Sequence, residues 1–294
     1  MKGIMHMKIK KSIAAAVVAV ITVAAVAVRY IFLDKFVNPV TLFSDFGSPY
    51  TALCIGIAVA GILCFGVLFS MNKNALVLHR QAPNVASRVT SALFAAAFAA
   101  AFIYSVKELV SPTASFVMTS VALPILNIAR AVQIVASVVS AVYFVYIAAG
   151  KCGKTAGLLS SFPPLWFAAS ILGFFISTAS YVNIFGRALF VIAYSLCAFT
   201  LLYESRLTVY KNPVCAADGE KKNGENAERF VRLRTYTALC GTCLFCFAVK
   251  AIPEFIALKG GFAFRQSTPL YFIELAAALY FAVKAFSKYE TEEK

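Results

Sequence analysis

Long apolar segments separated by shorter polar connections dominate the chain. About eight of them approach the ~20 residues that a helix needs to cross the hydrocarbon core of a bilayer. The segments lack the strict alternation of a membrane β-barrel strand, and in lipid only helices and closed barrels satisfy every backbone group. The pattern therefore predicts an all-α, polytopic bundle. The predicted spans are Ile13–Leu33, Thr51–Ser70, Val89–Val106, Leu123–Ala149, Leu165–Val182, Ala188–Tyr203, Thr235–Phe255 and Pro269–Phe286.

Two further segments affect the predicted organisation. The polar residues of Glu204–Arg234 predict a flexible cytoplasmic loop that separates a six-span body (1–203) from a two-span hairpin with a short tail (235–294). All three parts are expected to form one integrated membrane domain. Lys107–Ala122 is too polar for a span and too apolar for an ordinary loop. It predicts either a re-entrant lid or an extension of the fourth helix that is kinked at Pro124.

The composition excludes other classes of protein. Hydrophobic residues make up 61% of the 294 positions and charged residues 14%, whereas soluble domains are typically about 45–50% apolar and about 25% charged. A soluble enzyme, a disordered chain and a disulfide-rich secreted module are therefore not expected. The first predicted partner is a lipid bilayer.

The charge distribution predicts the orientation of the chain. Its net charge of +14 comes from 27 Lys and Arg against 13 Asp and Glu, and the cations concentrate at both termini and in alternate connections. Because positively charged flanks stay in the cytoplasm during insertion, both termini are predicted to be cytoplasmic, in a multi-pass protein of the bacterial inner (cell) membrane. This explanation of the charge leaves no need for nucleic-acid binding.

The first span also has the form of a cleavable signal peptide, with a basic start, an apolar run and Ala25-Val26-Ala27. Its apolar run is longer than the usual ~7–15 residues, which favours a retained span.

Small residues recur in the first three spans, including Gly56, Gly61 and Gly66 in the second. Since small residues let membrane helices approach closely, these spans are expected to form the tightly packed part of the bundle.

The sequence lacks the residues that several kinds of chemistry require. Cys240, Cys243 and Cys246 follow one side of the seventh span, but an iron–sulfur site needs a loop and a further Cys, so packing is the predicted role. The two His and three Asp lie outside the spans, which leaves no expected constellation for intramembrane hydrolysis. No cofactor, no metal and no catalytic residue are predicted.

Ionisable and amide residues within the spans are the remaining candidates for function, because each charge at membrane depth costs about 2.5–3.5 kcal/mol on insertion scales. Arg130 and Glu274 lie about 10 Å and about 8 Å below the predicted outer ends of their helices. The candidate ligand-binding residues are Asn127, Arg130, Gln133, Lys250, Glu254 and Glu274.

Two interpretations of these residues stay open. They form an outward-facing polar pocket that binds or translocates a small solute such as an anion, with Arg130 as the anion contact and Glu274 as its counter-charge or proton acceptor. Alternatively, Arg130 and Glu274 form a static interhelical bridge while Lys250 and Lys284 reach to their interfaces. A further alternative for the whole chain is a non-catalytic membrane component that binds a membrane or cytoplasmic protein partner through its small-residue faces or its Glu204–Arg234 loop.

Overall fold

A computed structural model describes residues 11–38, 49–70, 76–77, 84–110, 122–151, 154–177, 184–209, 232–258, 268–287 and 291–292. The helices are α1 (Lys11–Phe36), α2 (Pro49–Ser70), α3 (Val85–Val110), α4 (Ala122–Ala148), α5 (Lys154–Leu159), α6 (Phe162–Ser177), α7 (Ile184–Val209), α8 (Leu233–Ala257) and α9 (Thr268–Phe286). Two-residue strands, β1 (Leu76–Val77) and β2 (Thr291–Glu292), pair antiparallel. This pairing places the connection after α2 and the C-terminal tail at the same end of the bundle.

The predicted all-α, polytopic bundle is confirmed. Within the described residues, seven helices are long and apolar enough to cross a membrane. The eighth predicted span corresponds to α9, which has 19 residues and carries Glu274 and Lys284. The chain is thus a multi-pass membrane protein with seven to eight long apolar helices.

The fifth span begins earlier than the predicted Leu165. An apolar helical stretch starts at Thr155 and continues through α5 and α6. Pro163 and Pro164 lie in the first turn of α6, where a missing N–H removes no helical hydrogen bond, so they restart the helix instead of ending it. The apolar residues before these prolines therefore belong to the membrane helix and not to a connection.

The predicted Glu204–Arg234 loop begins too early. Helix α7 continues to Val209 and α8 begins at Leu233, so residues 204–209 are helical. Glu204 is buried against α9, which explains why a polar residue at this position does not end the helix. The remaining loop residues, 210–231, lie outside the described residues, and the division into a six-span body and a hairpin stays a prediction.

The alternatives for Lys107–Ala122 fall largely outside the described residues as well. Helix α3 includes Lys107 and ends at Val110, and α4 begins at Ala122. The first four residues of the segment thus extend the third helix rather than the fourth. The lid and the kinked extension both concern residues 111–121, which are not described.

Helices α8 and α9 form the centre of the bundle. Helix α8 packs against α1, α2, α7 and α9, and α9 also packs against α3. In the most apolar stretch of α8, 72% of the residues are buried, against 28% in the corresponding stretches of α1 and of α2. The expectation that the first three spans are the tightly packed part is therefore wrong for α1 and α2, whereas α3, at 44%, is as buried as α6 and α7. Helix α8 also carries Lys250 and Glu254, and a central position gives these charges partners that lipid does not offer.

Helices α2 and α8 approach each other through two reciprocal glycine–phenylalanine contacts. A Cβ atom added at Gly61 of α2 would overlap the ring of Phe245 on α8. In the opposite direction, a Cβ atom added at Gly241 of α8 would overlap the ring of Phe69 on α2. Each helix therefore receives an aromatic ring of the other in a notch that only glycine leaves open.

Candidate functional site

Four charged side chains of alternating sign form a continuous chain of ion pairs, here called the charge network. Arg29 Nη2 of α1 lies 2.6 Å from Glu254 Oε1 of α8. Lys250 Nζ lies 3.3 Å from Glu254 Oε2 on the same helix, and 2.7 Å and 2.9 Å from the two carboxylate oxygens of Glu274 on α9. Two cations and two carboxylates from three helices thus meet at one place.

Helix geometry explains why these residues meet. Arg29 and Lys250 each lie about 10 Å before the C-terminal ends of α1 and α8, and Glu274 lies about 9 Å after the N-terminal end of α9. In the predicted topology, α1 and α8 run parallel and α9 runs antiparallel to them, so the three depths agree. The i,i+4 spacing of Lys250 and Glu254 brings the second carboxylate to the same face of α8.

All four residues are withdrawn from solvent. The exposed fractions are 1% for Arg29, 2% for Lys250, 6% for Glu254 and 0% for Glu274. A single buried charge would be costly in this environment, whereas four charges of alternating sign balance one another. With all four ionised, the charge network has no net charge.

Aromatic side chains enclose the central part of the charge network. The hydroxyl of Tyr194 on α7 donates a hydrogen bond of 2.9 Å to Glu274 Oε1. Lys250 Nζ lies 5.4 Å from the ring centroid of Phe190 and 5.6 Å from that of Tyr271, which is cation–π distance. Lys250 is thus held between two carboxylates and two aromatic faces.

The structure brings together three of the six predicted site residues and places the other three on α4. Lys250, Glu254 and Glu274 belong to the charge network. Helix α4 packs chiefly against α3 and α6. Along it, Asn127 is exposed and Arg130 is half-buried. The ion pair described for Glu274 is with Lys250, and a pair between Glu274 and Arg130 stays a prediction.

The third residue on α4, Gln133, joins this helix to α6. Its Nε2 donates a hydrogen bond of 3.0 Å to Ser170 Oγ. Ser170 in turn donates to the Trp166 carbonyl oxygen at 2.8 Å, one turn earlier in α6. The amide therefore makes an interhelical polar contact of the kind that stabilises membrane helix pairs.

Replacing Gln133 by Leu should destabilise the protein by about 0.6 kcal/mol, and by no more than about 1.7 kcal/mol, which is the range for hydrogen bonds between membrane helices. A double-mutant cycle with Ser170→Ala measures the pairwise part through the free energy of unfolding in detergent. A coupling energy of zero would show that this contact does not link α4 to α6.

Two members of the site, Arg29 and Tyr194, were not predicted from the sequence. Arg29 looks like a flanking cation near the end of the first span, yet it is 1% exposed and pairs with Glu254. Its position four residues inside the predicted end at Leu33 is the signal that could have identified it. Tyr194 lies in the middle of the sixth span, whereas tyrosines that anchor to the interface lie near span ends.

A second cluster of buried polar residues, here called the Glu204 cluster, lies toward the opposite end of α7 and α9. The Tyr280 hydroxyl donates a hydrogen bond of 2.7 Å to Glu204 Oε1, and Lys284 Nζ lies 3.4 Å from the same oxygen. Lys284 Nζ is also 5.1 Å from the ring centroid of Tyr280. These residues link α7 to α9, and all three are at most 6% exposed.

Thiol groups lie between the two clusters. The seventh-span cysteines are buried in α8, and Cys243 Sγ lies 3.2 Å from Thr200 Oγ1 on α7. In the part of the chain that the structure describes, no group of three or more His, Cys, Asp or Glu residues is arranged to hold a metal ion. Thus the described chemistry of this region consists of ion pairs, hydroxyls and thiols.

Carboxylates determine what this region can do chemically. A carboxylate that gains a proton loses its charge and no longer holds a cation by an ion pair. Proton uptake at either Glu254 or Glu274 would therefore change the charge network from neutral to +1.

Comparison of the chain with family models, with curated proteins and with solved structures found no match.

Proposed function

We propose that the protein moves a small monovalent anion across the cell membrane together with a proton, and that the charge network is the site where both bind. The observation that carries this proposal is the neutral, alternating arrangement of two cations and two carboxylates, whose side chains are each at most 8% exposed. Ionisable residues inside membrane helices generally mark ion and solute pathways. With the predicted topology, this site lies in the outer half of the bundle.

Protonation of Glu274 creates the anion site. In the ionised network, the two oxygens of Glu274 occupy one side of Lys250 at 2.7 and 2.9 Å. A proton on Glu274 removes this negative charge and leaves the network with a charge of +1. One monovalent anion beside Lys250 restores neutrality, so the proton and the anion bind together.

Glu274 is the proton acceptor that we propose for this cycle. Among the described ion pairs, Glu254 contacts both Arg29 and Lys250, so protonation there would weaken two pairs. The ion pair of Glu274 joins α9 to α8, and its loss weakens the contact between these two helices. Protonation at Glu274 would therefore weaken the described ion pair that joins α8 to α9.

A purely structural role explains the charge network less well. Replacing a buried ion pair by apolar residues of similar volume is often neutral or stabilising by about 1–4 kcal/mol. Helix packing alone does not require four buried charges, since apolar or small residues at these positions would also pack. A binding site that must change its charge does require ionisable groups.

Transport by purified protein in liposomes tests the proposal. The lumen contains a pH-sensitive dye, the outside is made acidic, and nitrate, acetate and lactate are supplied one at a time. With at least one of these anions, the wild type should acidify the lumen faster than protein-free liposomes, which acetic and lactic acids enter unaided in their neutral form. If no anion raises proton uptake above that of protein-free liposomes, the proposal is wrong.

The variant Glu274→Gln separates proton coupling from anion binding. Gln is neutral like a protonated carboxyl, so this variant should still exchange the anion across the membrane. Its proton uptake should fall at least tenfold. Asp34→Asn, which removes an exposed carboxylate of α1, is the control and should behave as the wild type. Unchanged proton coupling in Glu274→Gln would overturn the role of Glu274.

A further inference from the structure

Polar side chains continue along one face of α7 from the charge network to the Glu204 cluster. Tyr194, Cys197, Thr200 and Glu204 follow one another at spacings of three or four residues, which places them on one face of the helix. Their exposed fractions are 0%, 0%, 0% and 2%. A buried face that would pack equally well with apolar residues instead carries hydroxyl, thiol and carboxyl groups.

Helix α8 supplies a matching face. Tyr236, Cys240, Cys243 and Lys250 also recur at helical spacing, and the first three have no exposed surface. The two faces touch where Thr200 Oγ1 lies 3.2 Å from Cys243 Sγ. The hydroxyl and thiol groups between the two clusters therefore come from both sides of the α7–α8 contact.

Helix α9 closes both ends of this polar face. Its Glu274 accepts a hydrogen bond from Tyr194, and its Tyr280 donates one to Glu204. The ten residues from Tyr194 to Glu204 correspond to about 15 Å along the helix. This distance is about half of the ~30 Å hydrocarbon core.

From this geometry we infer that Glu204 is a second proton-binding site of the same pathway, and that the hydroxyls and thiols of Tyr194, Cys197, Thr200 and Cys243 relay protons between Glu274 and Glu204. These four residues are called the relay strip below. Hydroxyl groups donate and accept hydrogen bonds, and thiols do so weakly, as a relay requires. The inference rests on the proposed function, because it supplies the exit for the proton that enters with the anion.

The proton transfer balances with water as the only additional carrier. A proton leaves the Glu274 carboxyl, successive O–H and S–H bonds shift along the relay strip and intervening water, and one proton arrives on Glu204. Glu274 regains its charge and its ion pair with Lys250. Glu204 then releases a proton to the solvent on its own side, and its charge again faces Lys284 in the last turn of α9.

The liposome assay also tests this inference, with Glu204→Gln as the main variant. We expect anion exchange at the wild-type rate, because the charge network is intact, together with at least a tenfold fall in proton uptake. Glu204→Asp, which keeps the acid, should recover part of the proton uptake. A Glu204→Gln variant that couples protons like the wild type would overturn the inference.

A second variant tests the relay strip independently of Glu204. Thr200→Val with Cys243→Ala removes the contact between the α7 and α8 faces, and we expect a severalfold fall in proton uptake at an unchanged rate of anion exchange. Cys64→Ala, at an exposed position on α2, is the matched control. Equal proton uptake in the double variant and in this control would exclude the relay strip.

The two proposals fail in different ways. If Glu274→Gln keeps full proton coupling, the proposed function is wrong. If Glu274→Gln loses coupling while Glu204→Gln keeps it, the charge network transports protons but Glu204 takes no part. Should Glu204→Gln not fold, Tyr280→Phe replaces it, because this change keeps the carboxylate and removes only its hydroxyl donor. Proton uptake should then fall severalfold, and unchanged uptake would contradict the inference.

Discussion

Replacing Lys250 by Met is expected to destabilise the protein by about 3–5 kcal/mol, which is the usual cost of removing one partner from a buried ion pair. Lys250 holds both oxygens of Glu274 and one of Glu254. Without its charge, the charge network carries an excess negative charge in a region with at most 6% exposure. Equilibrium unfolding in mixed detergent micelles measures the loss.

The double variant Lys250→Met with Glu274→Gln should recover much of this stability, since it removes one cation and one anion together. Acidification should also reduce the deficit of the single variant, because a protonated carboxyl needs no cation. Lys107→Met is the control, as Lys107 is exposed on α3. A single variant within about 1 kcal/mol of the wild type would contradict the expected cost of an unbalanced buried charge.

Replacing Gly61 by Ala is expected to destabilise the protein by about 1–3 kcal/mol, the usual effect of an extra carbon in a packed core. The new methyl group would overlap the buried ring of Phe245 and push α2 away from α8. Gly241→Ala should act similarly through Phe69. The measurement is again the free energy of unfolding in detergent.

Gly56→Ala and Gly66→Ala are matched controls on the same helix. No heavy atom lies within 4 Å of a Cβ atom at either position, so both should be neutral or slightly stabilising through helix propensity. Phe245→Leu combined with Gly61→Ala should restore part of the lost stability by making room for the methyl group. Equal stability of Gly61→Ala and Gly56→Ala would show that α2 and α8 do not depend on the notch at Gly61.

The sequence predicts the helical membrane class because twenty apolar residues in a row have few other stable arrangements in water or lipid. It also identifies Lys250 and Glu254 as neighbours, since their i,i+4 spacing places them on one face whatever surrounds the helix. The depth of Glu274 was predictable from its distance to the end of its helix. Each of these features depends on the sequence of a single helix and not on its neighbours.

Features that depend on which helices are neighbours were not predictable in this way. Arg29, Arg130 and Lys250 lie about 10–12 Å from the nearer ends of α1, α4 and α8, so depth alone does not choose a partner for Glu274. Small residues were equally ambiguous, since Gly61 meets a ring of α8 while Gly56 has open space around it. Small residues predicted the tightly packed part of the bundle in the first three spans, whereas the most buried helix is α8.

The pairing of Arg29 with Glu254 has a consequence for the synthesis of the protein. The two residues are 225 positions apart, and at a translation rate of about 5–20 residues per second the second follows the first by about 10–45 s. During that time the nascent α1 already carries its guanidinium, while the helix that holds Glu254 has not yet been made. A ribosome-stalled chain that ends before α8 should therefore leave Arg29 more accessible to water-soluble reagents than the full-length chain does.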